Sequence, residues 1–349
     1  MASLLGMTKE AGLGRRRLGR TDIELPTLGV GCSGFGDRAR QMPATVGEET
    51  VEAALALGAD YFDTAPYYGF GLSERRLGDA LRKRNGVRRL ISTKVGRLLV
   101  PDPSLDPSFP RNGFHSAMPF RPVFDYSYDG VMRSWEASLH RLGLAAVDIL
   151  LVHDIGAFAH GDDHPRHLAD LLDGGMRALR ELKASGAARA FGLGVNEVAV
   201  CDEILDEAEF DCILIAGRYT LLDQSCLALF ARCAERGVGV ISAGPYNSGI
   251  LAGGSRRQGP IRYDYGEAPA EIIDRVRRIE TICDRHGVPI GAAALQFPLA
   301  HPAISCVLPG IASAARMEET VALAGYPIPE PFWHDLRAAG LLSADAPTR

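Results

Sequence analysis

Apolar residues along the chain fall into two alternating rhythms. Compact runs such as Leu90-Ile91-Ser92-Thr93-Lys94 and Asp148-Ile149-Leu150-Leu151-Val152-His153 have strand length and are bounded by turn-forming residues. Between such runs lie stretches whose apolar positions recur at helical spacing. Val131, Trp135, Leu139 and Leu142 mark one such face, which begins near Asp129 and stops at Gly143. Another opens at Thr45-Val46-Gly47-Glu48, which has capping-box spacing, carries Val51, Ala54 and Leu55 on its apolar face, and stops at Gly58. The strands predicted in this way run over 28–32, 61–65, 90–95, 147–153, 190–195, 212–217, 238–243 and 304–308.

Eight strands alternating with helical stretches, with no composition break that would mark a linker, imply parallel strands joined by helices. The expected architecture is α/β: a (β/α)8 TIM barrel forming a single domain over residues 1–349, with its core at about 24–325 and a C-terminal helix. An open doubly wound sheet competes with it and would show Gly-x-Gly-x-x-Gly after the first strand. Gly29-Val30-Gly31-Cys32-Ser33-Gly34 has that spacing. The residues that follow hold Gly36 and Pro43 and do not open a helix at once, so these glycines are read as barrel-floor or cofactor-contact positions. Two segments are irregular. Residues 97–126 after the third strand are too rich in proline for a helix and are read as a flap over a substrate; residues 252–268 after the seventh are rich in Gly, Arg and Tyr.

Three successive strands end on an ionisable residue: Asp63, Lys94 and His153. Tyr68 follows Asp63 by five positions, in a loop punctuated by Pro66 and Gly69. Taken singly, each has a bland explanation as a turn former, a packer or a solvated charge. Together, at the carboxyl ends of barrel strands, they read as a proton-transfer site. Those four positions resemble the catalytic tetrad of the aldo-keto reductases, and Gly58-Ala59-Asp60-Tyr61-Phe62-Asp63-Thr64-Ala65 followed by Tyr68-Gly69 and Ser73-Glu74 is similar to that family's signature. Phe124 to Gly130 with Arg133-Ser134, His153-Asp154, and Gly192-Leu193-Gly194-Val195-Asn196-Glu197 resemble the branch of bacterial aldose 1-dehydrogenases, L-fucose dehydrogenases and pyridoxal 4-dehydrogenases.

The resemblance implies hydride transfer to or from a nicotinamide cofactor, with Tyr68 as the group that moves the proton. Lys94 would stabilise the phenolate, Asp63 would keep Lys94 charged, and His153 would donate a hydrogen bond to the substrate oxygen. Asp154 and Arg97 are candidate substrate contacts. The cofactor would lie along the loops after strands seven and eight, with Pro245, Asn247, Gly249, Leu251, Gly310, Ser313 and Arg316 as candidate contacts, joined by Gly31 and Cys32. The family's glutamine after strand six and aromatic after strand seven fall at Ala216 and Ala243, leaving Asn196 and Tyr219 as replacement contacts. NADP-specific relatives carry basic and hydroxyl residues where this chain has Gly310, Ile311 and Ala312, so the expected cofactor is NAD, with NADP possible.

The net charge of -5 and pI near 6.0 exclude a broad basic field and with it nucleic acid as a partner. Seven scattered cysteines without a Cys-x-x-Cys pair point to a reducing compartment. The segment from His160 to His167 lacks metal-ligand spacing and is read as a solvated loop; no metal is expected. Residues 1–20 hold too short an apolar run for a secretory signal, and no stretch approaches the roughly 20 apolar residues of a membrane span. These features fit a cytoplasmic enzyme acting on a small molecule; the resemblance implies that this is an aldose such as L-fucose or D-arabinose, oxidised at C1 to a lactone, or pyridoxal. An NADPH-dependent aldehyde reductase and a noncatalytic nucleotide-binding regulatory protein on the same barrel are the alternatives.

Overall fold

The computed structural model describes residues 13–348 apart from 85 and 107, so most of the N-terminal stretch read for a signal lies outside the described residues. Eight parallel strands form the centre: β1 (Val30–Gly31), β2 (Tyr61–Asp63), β3 (Leu90–Val95), β4 (Val147–His153), β5 (Ala188–Val195), β6 (Cys212–Ala216), β7 (Gly239–Ala243) and β8 (Ile304–Leu308). Each pairs with the next in chain order. Parallel bridges Leu28–Val307 and Gly31–Gly310 join the first strand to the last and close the barrel.

The expected strands are all present, but four are shorter than expected: the sixth and seventh by one residue, and the first two by more. The first turns at Cys32 into a 3-10 turn over Cys32–Gly36, and the second ends at Asp63. Alternation along each strand sorts side chains between two cores. Tyr61, Leu90, Ile149, Leu151, Leu214, Ile241 and Cys306 pack together with Leu18, Ile23 and Leu25 of an N-terminal hairpin, in which Arg15–Arg17 pairs antiparallel with Glu24–Pro26. Phe62, Ile91, Leu150, Val152, Ile213 and Ile215 belong to the second core, which includes residues of the helices.

The expected helices form, but their caps differ in part. Val46–Ala56 begins after Thr45 with no side-chain cap hydrogen bond, so the capping-box spacing is not used. Tyr128–Leu142 is capped by Ser127, whose hydroxyl accepts from the Gly130 amide, and stops at Gly143 in the left-handed conformation. The proline-rich segment is more regular than expected. Arg97–Pro101 pairs antiparallel with Phe120–Phe124, and two-stranded hairpins tolerate proline because one edge of each strand is unpaired. Residues 252–268 contain a short hairpin, Arg262–Tyr263 with Gly266–Glu267. The histidine-rich segment, read as a loop, is instead helical: Ala157–His160, a 3-10 turn and His164–Asp170. His160 and His167 pack with Phe124 and Tyr126, which explains why this polar run holds regular structure. No described helix is long and apolar enough to cross a membrane.

Candidate active site

Parity along the strands places the polar cluster. Lys94 shares the face of Leu90 and Ser92, and His153 that of Ile149 and Leu151, so both continue the inward rows at the carboxyl end. Asp63 follows Tyr61 in the same way. The Lys94 ammonium donates to Asp63 Oδ2 at 2.7 Å and to the Thr64 carbonyl at 2.9 Å. The other Asp63 oxygen accepts from Ser92 Oγ at 2.7 Å, and Ser92 Oγ lies 2.9 Å from the Tyr61 hydroxyl. Ser92 and Tyr61 had no signal in the chain beyond strand parity. Gly194 makes room for the lysine stem, since a β-carbon there would lie 3.2 Å from Lys94 Cε.

Tyr68 reaches this cluster from the loop after β2. The Lys94 ammonium lies 4.8 Å from its ring centroid, and the His153 ring centroid lies 6.0 Å from it. Ser73 and Glu74 support that loop. Ser73 Oγ donates to the Cys32 carbonyl at 2.7 Å and pairs with Thr64 Oγ1 at 2.8 Å; buried Glu74 accepts from Thr93 Oγ1 at 2.7 Å and pairs with Arg141.

Burial raises the Tyr68 phenol and Lys94 lowers it, with a net result of about 12. Burial pulls the Lys94 ammonium down, but Asp63 and Tyr68 outweigh it, so its pKa ends above the ordinary lysine value. Burial, then Arg97 and Lys94, push His153 well below the usual histidine range, and its imidazole is neutral at physiological pH. Its Nδ1 is buried without a partner, while Nε2 lies 3.5 Å from Asp154 Oδ2.

A cavity of about 740 Å³ begins at Asp63 and Tyr68 and runs along the loops after β6, β7 and β8. Of the expected cofactor contacts, Gly31, Pro245, Asn247, Gly249, Gly310 and Arg316 line it. Cys32, Asn196, Tyr219, Leu251 and Ser313 do not. The Cys32 and Leu251 side chains are buried in the core, the Asn196 carbonyl accepts from Arg218, and Ser313 caps the helix Ala314–Ala324. Tyr219 corrects the reading most: after the left-handed turn at Gly217 its ring stacks on Phe297 and meets Phe230 edge-on, in the layer of helices. Ala216 and Ala243 do line the cavity, and no expected replacement contact fills the space beside them. The reading missed Arg38, Arg257, Arg262 and Tyr265, all lining residues. The Arg38 guanidinium lies 5.1 Å from the Tyr265 ring centroid and 5.6 Å from that of Phe114, linking two loops at the cavity.

The lining fits an extended anionic cofactor. Asn247 Oδ1 is a buried acceptor without a partner, and consecutive left-handed residues Asn247, Ser248 and Gly249 shape the backbone beside it. Arg38, Arg257 and Arg262 supply positive charge along the same cavity.

Comparison with known proteins agrees with this geometry. The model of the Aldo/keto reductase family matches residues 27–340. Pyridoxal 4-dehydrogenase of Microbacterium luteolum is 45% identical, with 94% of this chain and 98% of that protein aligned. D-threo-aldose 1-dehydrogenase of a Pseudomonas species is 37% identical, over 92% and 95%. Among solved structures, the holo form of an aldo-keto reductase from Bacillus halodurans superposes with a TM-score of 0.71 at 25% identity, covering 95% of this chain and 97% of that one. With the closed eight-stranded barrel and a matching family model, the chain belongs to the aldo/keto reductase family and is a nicotinamide-dependent oxidoreductase.

Proposed function

We propose that the protein oxidises a cyclic hemiacetal to a lactone, with NAD as the cofactor and Tyr68 as the base. The leading substrate class is an aldose, such as L-fucose or D-arabinose, reacting at C1. Pyridoxal is the second reading, because its neighbouring hydroxymethyl group closes it to an internal hemiacetal with the same reacting group. The observation that carries the proposal is the buried Asp63–Lys94 pair, with its ammonium 4.8 Å from the Tyr68 ring centroid, at one end of the cavity.

Oxidation removes a proton from the hemiacetal hydroxyl as the carbon loses hydride, and the bound cofactor supplies the hydride acceptor. Tyr68 would take the proton. Lys94 favours the phenolate form of Tyr68 that accepts this proton, and Asp63, itself held by Ser92, keeps the ammonium in place. Neutral His153 is suited to donate one hydrogen bond to the substrate oxygen without competing for the proton. NAD is favoured over NADP because Arg316, the candidate 2'-phosphate ligand, is paired with Glu319 at 2.7 Å. The names of both relatives support a dehydrogenase. The more similar relative favours pyridoxal, whereas the charged Arg97–Asp154 wall beside His153 favours a hydroxylated sugar. All seven cysteines are free and buried, which supports a cytoplasmic setting.

NADH absorbance after mixing the protein with NAD and L-fucose, D-arabinose or pyridoxal tests the proposal. Turnover with any of them is the expected result. Turnover only of aldehydes with NADPH would replace it with a reductase, and none with either cofactor would leave a nucleotide-binding role.

A further inference from the structure

Arg97 opens the first strand of the hairpin after β3, and its guanidinium is held between two aromatic rings. The Tyr67 ring centroid lies 4.3 Å away and that of Phe124 5.1 Å away. Arg97 Nη2 pairs with Asp154 Oδ2. Asp154, directly after His153, adopts the left-handed conformation, with φ of 44°, and its amide donates to the Gly194 carbonyl at 3.0 Å. That turn sets the carboxylate 3.5 Å from His153 Nε2. Tyr126 fixes the strand end from behind, its hydroxyl donating to the His153 carbonyl at 2.7 Å.

Two polar atoms of this assembly remain unused. Arg97 Nε is buried with no hydrogen-bond partner, on a residue only 7% exposed, and Asp154 Oδ1 accepts no hydrogen bond among the described residues. The Asp154 carboxylate stands 3.5 Å from the imidazole and is paired with the Arg97 guanidinium, so an acceptor and a donor lie together beside His153 and match a hydroxyl group, which can accept and donate at once. Resting on the hemiacetal reading above, we propose that the Arg97–Asp154 pair determines specificity by binding the hydroxyl on the carbon adjacent to the reacting carbon. Aldoses carry that hydroxyl at C2. Simple aldehydes lack it, and pyridoxal has an aromatic carbon there.

The test compares kcat/KM with NAD for D-arabinose, 2-deoxy-D-ribose, which lacks only the C2 hydroxyl, and pyridoxal. The wild-type protein is expected to favour D-arabinose over the deoxy sugar by up to about 100-fold, since a buried polar group left unpaired when the hydroxyl is missing costs on that scale. In Asp154→Asn, chosen because asparagine tolerates the left-handed conformation, and in the Arg97→Met/Asp154→Asn double variant, the gap should shrink to within about fivefold. The wild-type comparison needs no variant to fold. Equal use of the two sugars by the wild-type protein overturns the proposal, as does an equal loss on both sugars in the variants, the mark of a structural role. Oxidation of pyridoxal but of neither sugar overturns the specificity proposal while hemiacetal oxidation stands. Absence of turnover with all three overturns both.

Discussion

A β-carbon on Gly36 would lie 2.6 Å from the Tyr68 carbonyl carbon, and one on Gly69 would lie 2.7 Å from the Gly36 Cα. The loop carrying Tyr68 therefore docks backbone to backbone on the turn after β1, and no side chain can relax to admit another atom. Gly36→Ala is expected to move the phenol away from Lys94 and lower kcat by about 100-fold, the scale of a 1 Å misplacement. Steady-state turnover, with cofactor binding followed by fluorescence as a control for folding, checks this.

Lys94 and Asp63 are both almost inaccessible to solvent. Lys94→Met leaves a buried carboxylate without its counter-ion and should cost roughly 3–5 kcal/mol of stability. Lys94→Met combined with Asp63→Asn should recover much of that loss without recovering activity. Chemical denaturation of the wild-type protein, Lys94→Met, Asp63→Asn and the double variant closes the cycle.

Tyr68→Phe removes the proton acceptor and leaves the cavity shape unchanged, so turnover should vanish while cofactor affinity stays within a few-fold. In the wild-type protein, the phenol is pushed up to about 12, so the basic form is scarce at pH 7. The oxidation rate should rise with pH, by up to about tenfold per unit where this single deprotonation limits it. A kcat/KM profile between pH 7 and 10 that is flat would assign the proton to another group.

Cofactor choice is expected to depend on two residues of one helix. Glu319 neutralises Arg316 at 2.7 Å and would repel a 2'-phosphate. Glu319→Gln should raise kcat/KM for NADP several-fold with little change for NAD, and Arg316→Ala should harm NADP more than NAD. Equal effects on both cofactors would show that this pair does not read the 2' position.

Burial lowers the pKa of His153, His160, His167 and His301, that of His160 to about 4. The unfolded chain, with histidines near 6.5, binds protons that the folded protein refuses. Stability is thus fully present above about pH 6.5 and is lost as pH falls toward the folded values. Asp154, whose carboxyl is raised by burial, opposes the trend as a single group. Thermal melts should show a lower melting temperature at pH 5 than at pH 7.5, and an unchanged value would count against the histidines as the cause.

Lys94 and His153 were legible because each continues an inward row of its own strand, a property carried within a few residues. The Ser73–Glu74 pair was legible only as a pattern; its support of the Tyr68 loop depends on Thr64, Thr93 and Arg141. Tyr219 was misread for a related reason. The direction of a side chain just past a strand depends on the turn, and the left-handed Gly217 sends this ring among Phe230 and Phe297 instead of over the cavity.

Periodicity alone therefore determined the eight-unit barrel and which strand residues face its axis, because alternation is a local consequence of backbone geometry. Tertiary structure decided which loops meet at the mouth: Gly36 against Gly69, Arg38 between Phe114 and Tyr265, and Arg97 against Asp154. These contacts join residues far apart in the chain through packing and charge, and neither leaves a repeating signature in the amino-acid order.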